Sequence, residues 1–327
     1  MKKYTSGATC AAGVSLAMYN DILFVAFPGG GGLGAATPNY KLNVMPVQIE
    51  TEPSDSWSFP RLLVLEEETT MEQPALASFN GRLWLAWTGT DPAHRLNLLP
   101  LAIGSDYQLT YEKKDKIVFN WTASGGPSLL VFEGNLYLAF SGGGGLGAAA
   151  PNGALNVASS VDGLNWPQKQ LTVYQQFHSL LSPSLAEFPI PYQGKLTSRL
   201  FISFTGQDHF IYLVAADGRA PNVPLKNVED NDPETSDYAP SLLAYSNSEG
   251  WELLCVWTGS GNNRHLYNMG GLGYNNEPGH HEAFSDTSAF APASVVAAQQ
   301  IYIAWAGTDA AHRLNIGNYA ELEKIPS

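Results

Sequence analysis

The chain has 327 residues, of which 44% are apolar and 14% charged, and its formal net charge is −13 at pH 7. This acidity disfavours binding to a nucleic-acid phosphate backbone and to an anionic membrane surface. No apolar run is long enough to span a bilayer, so we expect no membrane insertion. Cys255 lies in a predicted strand, where a buried inert thiol is the ordinary state, and a disulfide with the distant Cys10 is the less favoured alternative.

The predicted strands recur in one arrangement along the chain. The clearest copy has two apolar strands, Ala75–Phe79 and Leu83–Trp87, joined by an Asn80-Gly81 turn, a dipeptide typical of β-hairpins. A polar loop leads to a third strand, and one more short strand follows before the next copy. The first copy begins near Val14, and the other five begin at prolines 52 to 57 residues apart, at positions 74, 127, 183, 240 and 292.

A repeat of this length, made of short strands without a helical pattern between them, predicts a β-propeller. The predicted fold is all-β: a six-bladed β-propeller of four-stranded antiparallel blades. The last copy ends soon after its third strand, so we predict that a terminal strand closes the ring. As a single domain, the blades are placed at residues 13–65, 73–120, 126–174, 182–229, 239–288 and 291–327 plus the N-terminal strand.

Two kinds of loop connect the second and third strands. The loops Gly29–Asn39 and Gly142–Asn152 are rich in glycine and nearly identical, whereas Gly89–Asn97 and Gly307–Asn315 share the sequence Gly-Thr-Asp-x-Ala-His-Arg-Leu-Asn. A shortened form ends at His209, and the fifth copy combines both kinds. The simplest account is a two-blade unit copied three times.

One turn between a third and a fourth strand has the sequence Ser160-Val-Asp162-Gly163-Leu-Asn-Trp166, with weaker versions at residues 54–57, 105–106 and 216–218. Asp-Gly places the positive φ on glycine while the aspartate bonds its own backbone. This turn resembles the Asp-box of the sialidase-like propeller superfamily, although that family has one more residue between the aspartate and the glycine. The resemblance implies that such turns are structural and that ligands bind on the opposite face, where the two kinds of loop would gather.

The candidate ligand-binding residues lie in or beside those loops: Asp91, His94, Arg95, Asn97, Asp208, His209, Arg264, His265, Asp309, His312, Arg313 and Asn315. A carboxylate accepts two hydroxyl hydrogen bonds and a guanidinium donates a planar pair, so together they suit a sugar or a carboxylate ligand. The alternative is structural: each aspartate accepts the amides of its own loop, and the arginine pairs with it across the hairpin.

Neither a cofactor nor a metal is predicted. The run Gly29–Gly34 matches a dinucleotide pattern, but Pro38 and a strand follow it in place of the helix that would hold a pyrophosphate. The glycines serve either tight loop packing or a nest of amides for a ligand oxygen. His280, His281 and Glu282 resemble a metal cluster, but adjacent histidines on an extended segment point in opposite directions. The aromatic residues that end each second strand are assigned to packing between blades.

Three functions remain open. The favoured one is a lectin-like, carbohydrate-binding propeller with several similar glycan sites on one rim, suited to the recognition part of a toxin or adhesion system. The similarity of the loops favours a binding protein, because several weak sites on one chain bind with higher avidity together. A single catalytic centre would need different residues in different roles, and so would not keep its loops alike. The alternative is a sialidase-like glycoside hydrolase with one central site, which needs paired carboxylates or a tyrosine nucleophile. The same rim offers side chains for these roles: Glu72, Asp91, Asp208, Glu234, Asp237, Tyr238 and Asp309. The third is a protein-interaction scaffold.

The expected partners are therefore glycans or glycoconjugates. The polar residues after Met1 do not form a signal peptide, which predicts a cytoplasmic protein at synthesis, with leaderless release or a trimmed precursor as the alternatives.

Overall fold

A computed structural model describes residues 3–35, 37–47, 62–192, 195–216, 223–226, 231–248, 250–272 and 281–325. Within these ranges the chain forms six antiparallel sheets, and its helices are short 3-10 turns. The weaker Asp-Gly-type turns at residues 54–57 and 216–218, and His280, lie wholly or partly outside the described ranges. No described residue belongs to a helix that is both long and apolar enough to cross a bilayer.

Each sheet is one blade, and in blades 1, 3, 4 and 5 the strands follow the chain order from the inside outward. Strand β1 (Lys3–Thr9) precedes blade 1, which contains β2 (Ser15–Tyr19), β3 (Ile22–Pro28), β4 (Lys41–Val47) and β5 (Leu63–Thr69). Blade 2 contains β6 (Ala75–Phe79), β7 (Arg82–Thr88), β8 (Arg95–Ile103), β9 (Leu109–Thr110) and β10 (Ile117–Thr122). Blade 3 contains β11 (Ser128–Phe132), β12 (Asn135–Ser141), β13 (Ala154–Ser160) and β14 (Thr172–His178).

The second half of the chain repeats this arrangement. Blade 4 contains β15 (Ser184–Tyr192), β16 (Lys195–Thr205), β17 (Ile211–Ala215) and β18 (Val223–Pro224). Blade 5 contains β19 (Ser241–Asn247), β20 (Gly250–Thr258), β21 (His265–Leu272) and β22 (His281–Thr287). Blade 6 contains β23 (Ala293–Ala297), β24 (Gln300–Ala306), β25 (Arg313–Asn318) and the N-terminal β1.

The ring is closed by the N-terminal strand. Strand β1 pairs antiparallel with β25, so that Lys3 lies opposite Gly317 and Thr5 opposite Asn315. This pairing supplies the outer strand that the last blade lacks, and it confirms the predicted terminal closure. Because the two strands come from opposite ends of the chain, the sixth blade can form only when both ends meet.

Apolar side chains are buried between the blades rather than within them. Six clusters of buried residues each join two neighbouring blades, all the way round the ring. The aromatic residues that end the second strands are at most 3% exposed and belong to these clusters, as predicted: Phe27, Trp87, Phe140, Phe204, Trp257 and Trp305. A four-stranded sheet cannot bury both faces by itself, so the apolar core forms only when neighbouring blades pack together in the ring.

The inner strands surround a central channel of about 700 Å³. Serine hydroxyls connect neighbouring inner strands: Ser15 Oγ accepts from Leu76 N at 3.0 Å, and Ser184 Oγ accepts from Leu242 N at 2.9 Å. At one end, the Gln73 side chain donates to the carbonyls of Val14 (2.6 Å) and Pro292 (3.3 Å). Gln73 thus links three blades across the end of the channel.

That end of the channel also carries the loops between second and third strands. In each blade, a residue of the linker that follows the outer strand donates its amide to the carbonyl of a residue at or next to the end of this loop. The pairs are Thr70–Tyr40, Ala123–His94, Ser179–Gly153, Ser236–His209, Ser288–Arg264 and Cys10–His312, at 2.8–3.0 Å. The loops and the linkers between blades therefore form one surface, which we call the loop rim.

The Ser160–Trp166 turn lies at the other end of blade 3 and has a structural role. Asp162 Oδ1 accepts from the amides of Leu164 and Asn165 at 2.8 Å, and these bonds, led by that of Asn165, hold the pKa of the carboxyl far below its usual range. Gly163 has φ +77°, and a Cβ there would lie 2.5 Å from the ring of Trp84 in blade 2. The turn thus fastens blade 3 against blade 2.

Candidate ligand-binding site

The two Gly-Thr-Asp loops are held together by their own aspartates. Asp91 Oδ1 accepts from Ala93 N at 3.1 Å, Oδ2 accepts from Arg95 N at 3.2 Å, and Arg95 Nε lies 3.3 Å from Oδ1. Asp309 makes the same three contacts with Ala311 and Arg313 in blade 6, at 3.1, 3.3 and 3.4 Å. The carboxylates and guanidinium groups are therefore engaged within the loops, as the structural interpretation of this motif expects.

The pKa of Asp91 reflects these contacts. Partial burial raises it, but the amides of Arg95 and Ala93 and the Arg95 guanidinium together lower it further, so the net pKa lies below the usual value. Ligand binding by Asp91, Arg95, Asp309 and Arg313 remains a prediction, and a ligand would have to replace these internal bonds.

Asn97 and Asn315 are 5% exposed and support the loops from beneath. Asn97 Nδ2 donates to Arg95 O at 2.9 Å, and Asn315 Nδ2 donates to Arg313 O at 2.8 Å. The same bond recurs in the two Gly-rich loops, from Asn43 and Asn156. A repeated asparagine two residues into the third strand is thus a marker of the loop scaffold, and sequence analysis could have identified it as such.

Three of the predicted histidines share a backbone conformation. His94, His209 and His312 have φ of +50°, +67° and +49°, and each supplies the carbonyl that anchors the following linker. The same position holds Tyr40 in blade 1 and Gly153 in blade 3, both with positive φ. The left-handed backbone explains why a residue that tolerates positive φ recurs at this position. The side chains of the three histidines can therefore have different roles.

The blade 5 residues have partners as well. Arg264 donates to the carbonyls of Gly261 and Ala289 at 3.1 Å and to the Tyr238 hydroxyl, while its guanidinium lies 5.0 Å from the Tyr238 ring centre. His265 Nδ1 lies 2.9 Å from Phe284 O. In blade 4, Asp208 accepts from Phe210 N at 3.2 Å and from the Tyr212 hydroxyl at 2.6 Å.

His94 differs from the other two histidines because it lines a cavity. A cavity of about 580 Å³ lies on the loop rim between the Gly-Thr-Asp loop of blade 2 and the Gly-rich loop of blade 3. We call it the seam cavity. Its lining includes Glu72, His94 and Ser124 as polar side chains, and otherwise mainly glycine, alanine, proline and leucine: Pro92, Ala93, Ala123, Gly143, Gly145, Gly147, Ala148, Ala149, Ala150, Pro151 and Leu180.

The Gly-rich side of the seam cavity is not a free nest of amides. Gly143 N donates to Thr122 O at 2.7 Å, and Gly145 N donates to Thr122 Oγ1 at 3.0 Å. Blade 1 repeats this arrangement, with Gly30 and Gly32 bonded to Thr9. These bonds favour the packing interpretation of the glycines, so this side presents mainly methyl groups to the cavity.

Glu72 is the acidic residue of the seam cavity; the sequence predicted it as one of the rim carboxylates open to a hydrolase, and not as a ligand-binding residue. Its amide donates to Thr70 Oγ1 at 3.1 Å, but its half-buried carboxylate has no hydrogen-bond or ion-pair partner among the described residues. Burial raises the pKa of this carboxyl to about 7. Removing an ionised carboxylate from water without giving it a partner costs free energy. A carboxylate in that situation at the wall of a cavity is therefore a common mark of a binding site.

The corresponding place in the repeated unit shows why this seam is open. Phe290 N donates to Ser288 Oγ at 3.3 Å, the bond that Glu72 makes with Thr70, so the two residues are equivalent. The Phe290 ring lies 5.3 Å from that of His312, whose Nδ1 is 3.0 Å from Gly307 O. A phenyl ring therefore covers His312, whereas His94 is exposed and lines the seam cavity together with Glu72.

The seam between blades 4 and 5 is also occupied by protein groups. His209 Nδ1 lies 2.9 Å from Asp237 Oδ1, and Gly261 N donates to Asp237 Oδ2 at 2.7 Å. The residue equivalent to Glu72 is Leu181 in the turn before blade 4 and Tyr238 in the turn before blade 5, where Tyr238 contacts Arg264. Of these three seams, which all contain a predicted histidine, the one between blades 2 and 3 combines a cavity with an unpartnered acidic side chain.

The comparisons with known proteins show a fold. No family model and no curated protein matches the sequence. The Trypanosoma rangeli sialidase in complex with 2,3-difluoro-KDN matches with a TM-score of 0.59 and 9% identity, over 98% of this chain and 58% of the sialidase chain. Its covalent intermediate with 2,3-difluorosialic acid matches with a TM-score of 0.59 and 10% identity, over 96% and 54%. The native arabinanase Arb43A of Bacillus subtilis matches with a TM-score of 0.44 and 14% identity, over 75% and 92%.

This chain spans little more than half the length of the sialidase chains that it matches. At such low identity the similarity concerns architecture alone. The chain therefore has a sialidase-like six-bladed β-propeller fold, as the sequence resemblance implied.

Proposed function

We propose that this protein is a carbohydrate-binding propeller and that the seam cavity is its principal site. The observation that carries the proposal is Glu72, which lines a cavity of about 580 Å³ and whose carboxylate has no partner among the described residues. This volume falls in the range of small-molecule sites, which combine apolar walls with a few polar groups that set orientation.

The lining offers polar groups for the hydroxyls of a sugar and apolar groups for the C–H face of its ring. Glu72 can accept hydrogen bonds from vicinal hydroxyl groups, and the exposed His94 ring can donate or accept one more. The methyl groups of Ala148, Ala149 and Ala150 can contact the C–H face of the ring. A sugar ligand also agrees with the sialidase structures that share the fold, which are complexes with sialic acid and 2,3-difluorosialic acid.

Binding is favoured over hydrolysis because a glycosidase of the usual kind needs two carboxyl groups about the bond that it cleaves. Among the described residues, Glu72 is the one acidic side chain that lines the seam cavity, and Glu187 is the one that lines the central channel. Asp91 lies nearby in the same loop as His94, but its oxygens are bonded to loop amides. Neither space presents a second free carboxylate.

The proposal narrows the expectation of several similar glycan sites to one principal site per chain. Phe290 covers His312 at the seam between blades 6 and 1, and Asp237 engages His209 at the seam between blades 4 and 5. These seams are poorer sites because a sugar would have to displace protein contacts.

The test is a glycan array followed by calorimetric titration of the best ligand, with two matched variants. His94→Asn keeps a residue that tolerates the left-handed backbone and removes the imidazole ring from the seam cavity. His312→Asn makes the same change where Phe290 covers the ring. We expect about one site per chain, weaker binding for His94→Asn and unchanged binding for His312→Asn.

Equal effects of the two variants would contradict the assignment of the seam cavity, and absence of any glycan binding would contradict the function. Turnover of aryl glycosides that is lost on a single carboxylate substitution would replace the binder with the hydrolase.

A further inference from the structure

The seam cavity has an unusual balance of charge. Its described lining contains one carboxylate, from Glu72, and no lysine or arginine. The nearest basic side chain in the loop sequence, Arg95, has its Nε bonded to Asp91. Within the described lining, His94 is the one residue with an aromatic ring.

Nothing in the described lining therefore supplies the counter-charge that Glu72 needs when it is ionised. The walls around it are mainly alanine, glycine and proline, which cannot solvate a carboxylate as water does. A ligand that brings a positive charge to this place would form the missing ion pair, and a close pair in a partly desolvated site contributes more than one on an open surface.

The same balance disfavours other ligands. An acidic sugar would place a second negative charge beside Glu72 with no cation to receive it, which costs binding energy. The described lining holds no aromatic ring other than His94, so the aromatic cage that suits a quaternary ammonium is missing. A primary ammonium, with three hydrogen-bond donors and a compact charge, matches a single carboxylate better.

We infer that the seam cavity selects sugars with a free primary amino group over their N-acetylated, neutral and acidic counterparts, and that Glu72 determines this selectivity. The inference rests on the proposed carbohydrate-binding function. It extends that function by naming the class of sugar and the residue that recognises it.

The position of Glu72 in the repeat supports its role in specificity. The equivalent position, at the centre of the same serine or threonine turn, holds Leu181, Tyr238 and Phe290 before blades 4, 5 and 6. The turn is repeated while the side chain varies from acidic to apolar to aromatic. The backbone is therefore a constant support for a side chain that differs from one copy of the turn to the next.

The experiment is a calorimetric or fluorescence titration with three trisaccharides of β-1,4-linked residues: glucosamine, N-acetylglucosamine and glucose. N-acetylneuraminic acid is added as the acidic probe. We expect the glucosamine trisaccharide to bind about tenfold or more tightly than the N-acetylated and neutral ones, and N-acetylneuraminic acid to bind most weakly. In Glu72→Gln, which keeps the shape and removes the charge, the preference for the free amine should disappear.

Glu112→Gln is the matched control, because Glu112 is exposed and lies outside the lining of the seam cavity; it should keep the full preference. Equal binding of the amine and the N-acetyl trisaccharide would overturn the inference but leave the proposed function standing. A preference that survives in Glu72→Gln would overturn the role of Glu72. Failure of every sugar to bind would overturn the proposed function itself.

Discussion

The pH dependence of the free energy of unfolding should show that the Glu72 carboxylate has no partner in the folded protein. Replacement by glutamine keeps the size of the side chain and removes its ability to ionise. The pKa of this carboxyl rises from an ordinary 4.5 to about 7 in the folded protein. Because each tenfold change in proton affinity corresponds to about 1.4 kcal/mol, ionised Glu72 destabilises the folded state by about 3 kcal/mol at full effect.

The sign follows from proton binding. Between pH 4.5 and 7 the folded state keeps a proton on Glu72 that the unfolded chain has released. The stability of the wild type relative to Glu72→Gln therefore falls as the pH rises through this window and is lowest above pH 7. From the linkage relation, we expect the variant to be more stable by about 1 kcal/mol at pH 5 and by about 3 kcal/mol at pH 8.

The assay is urea unfolding followed by tryptophan fluorescence at pH 5, 6, 7 and 8 for the wild type, Glu72→Gln and the exposed control Glu112→Gln. The control should show no comparable trend. A difference between the wild type and Glu72→Gln that is flat across this range would show that Glu72 is well solvated or paired, and the argument for an unsatisfied carboxylate in the seam cavity would fail.

Three further predictions concern the scaffold. Asp91→Ala and Asp309→Ala each remove three contacts from a partly exposed loop and should lower the stability by about 1 kcal/mol; unchanged urea midpoints would reopen a ligand-binding role for these aspartates. Gly163→Ala should cost several kcal/mol more than Gly134→Ala, since both positions have positive φ but only at Gly163 would the added Cβ meet Trp84, at 2.5 Å; equal losses in thermal melts would disprove the fastening role of that turn. Finally, burial raises the thiol pKa of both Cys10 and Cys255, so a thiol reagent at pH 8 should modify them only after unfolding, and rapid labelling of the native protein would contradict their burial.

The architecture could be predicted because it depends on patterns that are local in sequence. The Asn80-Gly81 hairpin, the regularly spaced prolines and the repeated apolar strands each follow from short-range preferences. Closure by the N-terminal strand followed from counting strands, since a blade with three strands needs a fourth. The aromatic residue that ends each second strand could be assigned to packing between blades for the same reason.

The candidate site was predicted only in part, because repetition marks the scaffold and the ligand site alike. The polar chemistry of Asp91, Asn97 and their copies in blade 6 suggested ligand binding. In the structure these side chains form hydrogen bonds within their own loops. The histidine position recurs because its backbone is left-handed and its carbonyl anchors the next linker. His94 lines the seam cavity, and no feature of its own loop sequence distinguishes it from His312.

Sequence alone thus determined the number of blades, the strands of each and the surface on which the two kinds of loop meet, because hairpins and blade packing are specified by the period-two and repeat patterns. Tertiary structure decided which of the repeated seams is open. Glu72 and Phe290 occupy one position in two copies of the same turn, and only the packing of adjacent blades shows that the phenyl ring covers its histidine while the carboxylate borders a cavity. Burial and the lack of a partner are properties of neighbours that are distant in sequence, so they arise only when the ring has closed.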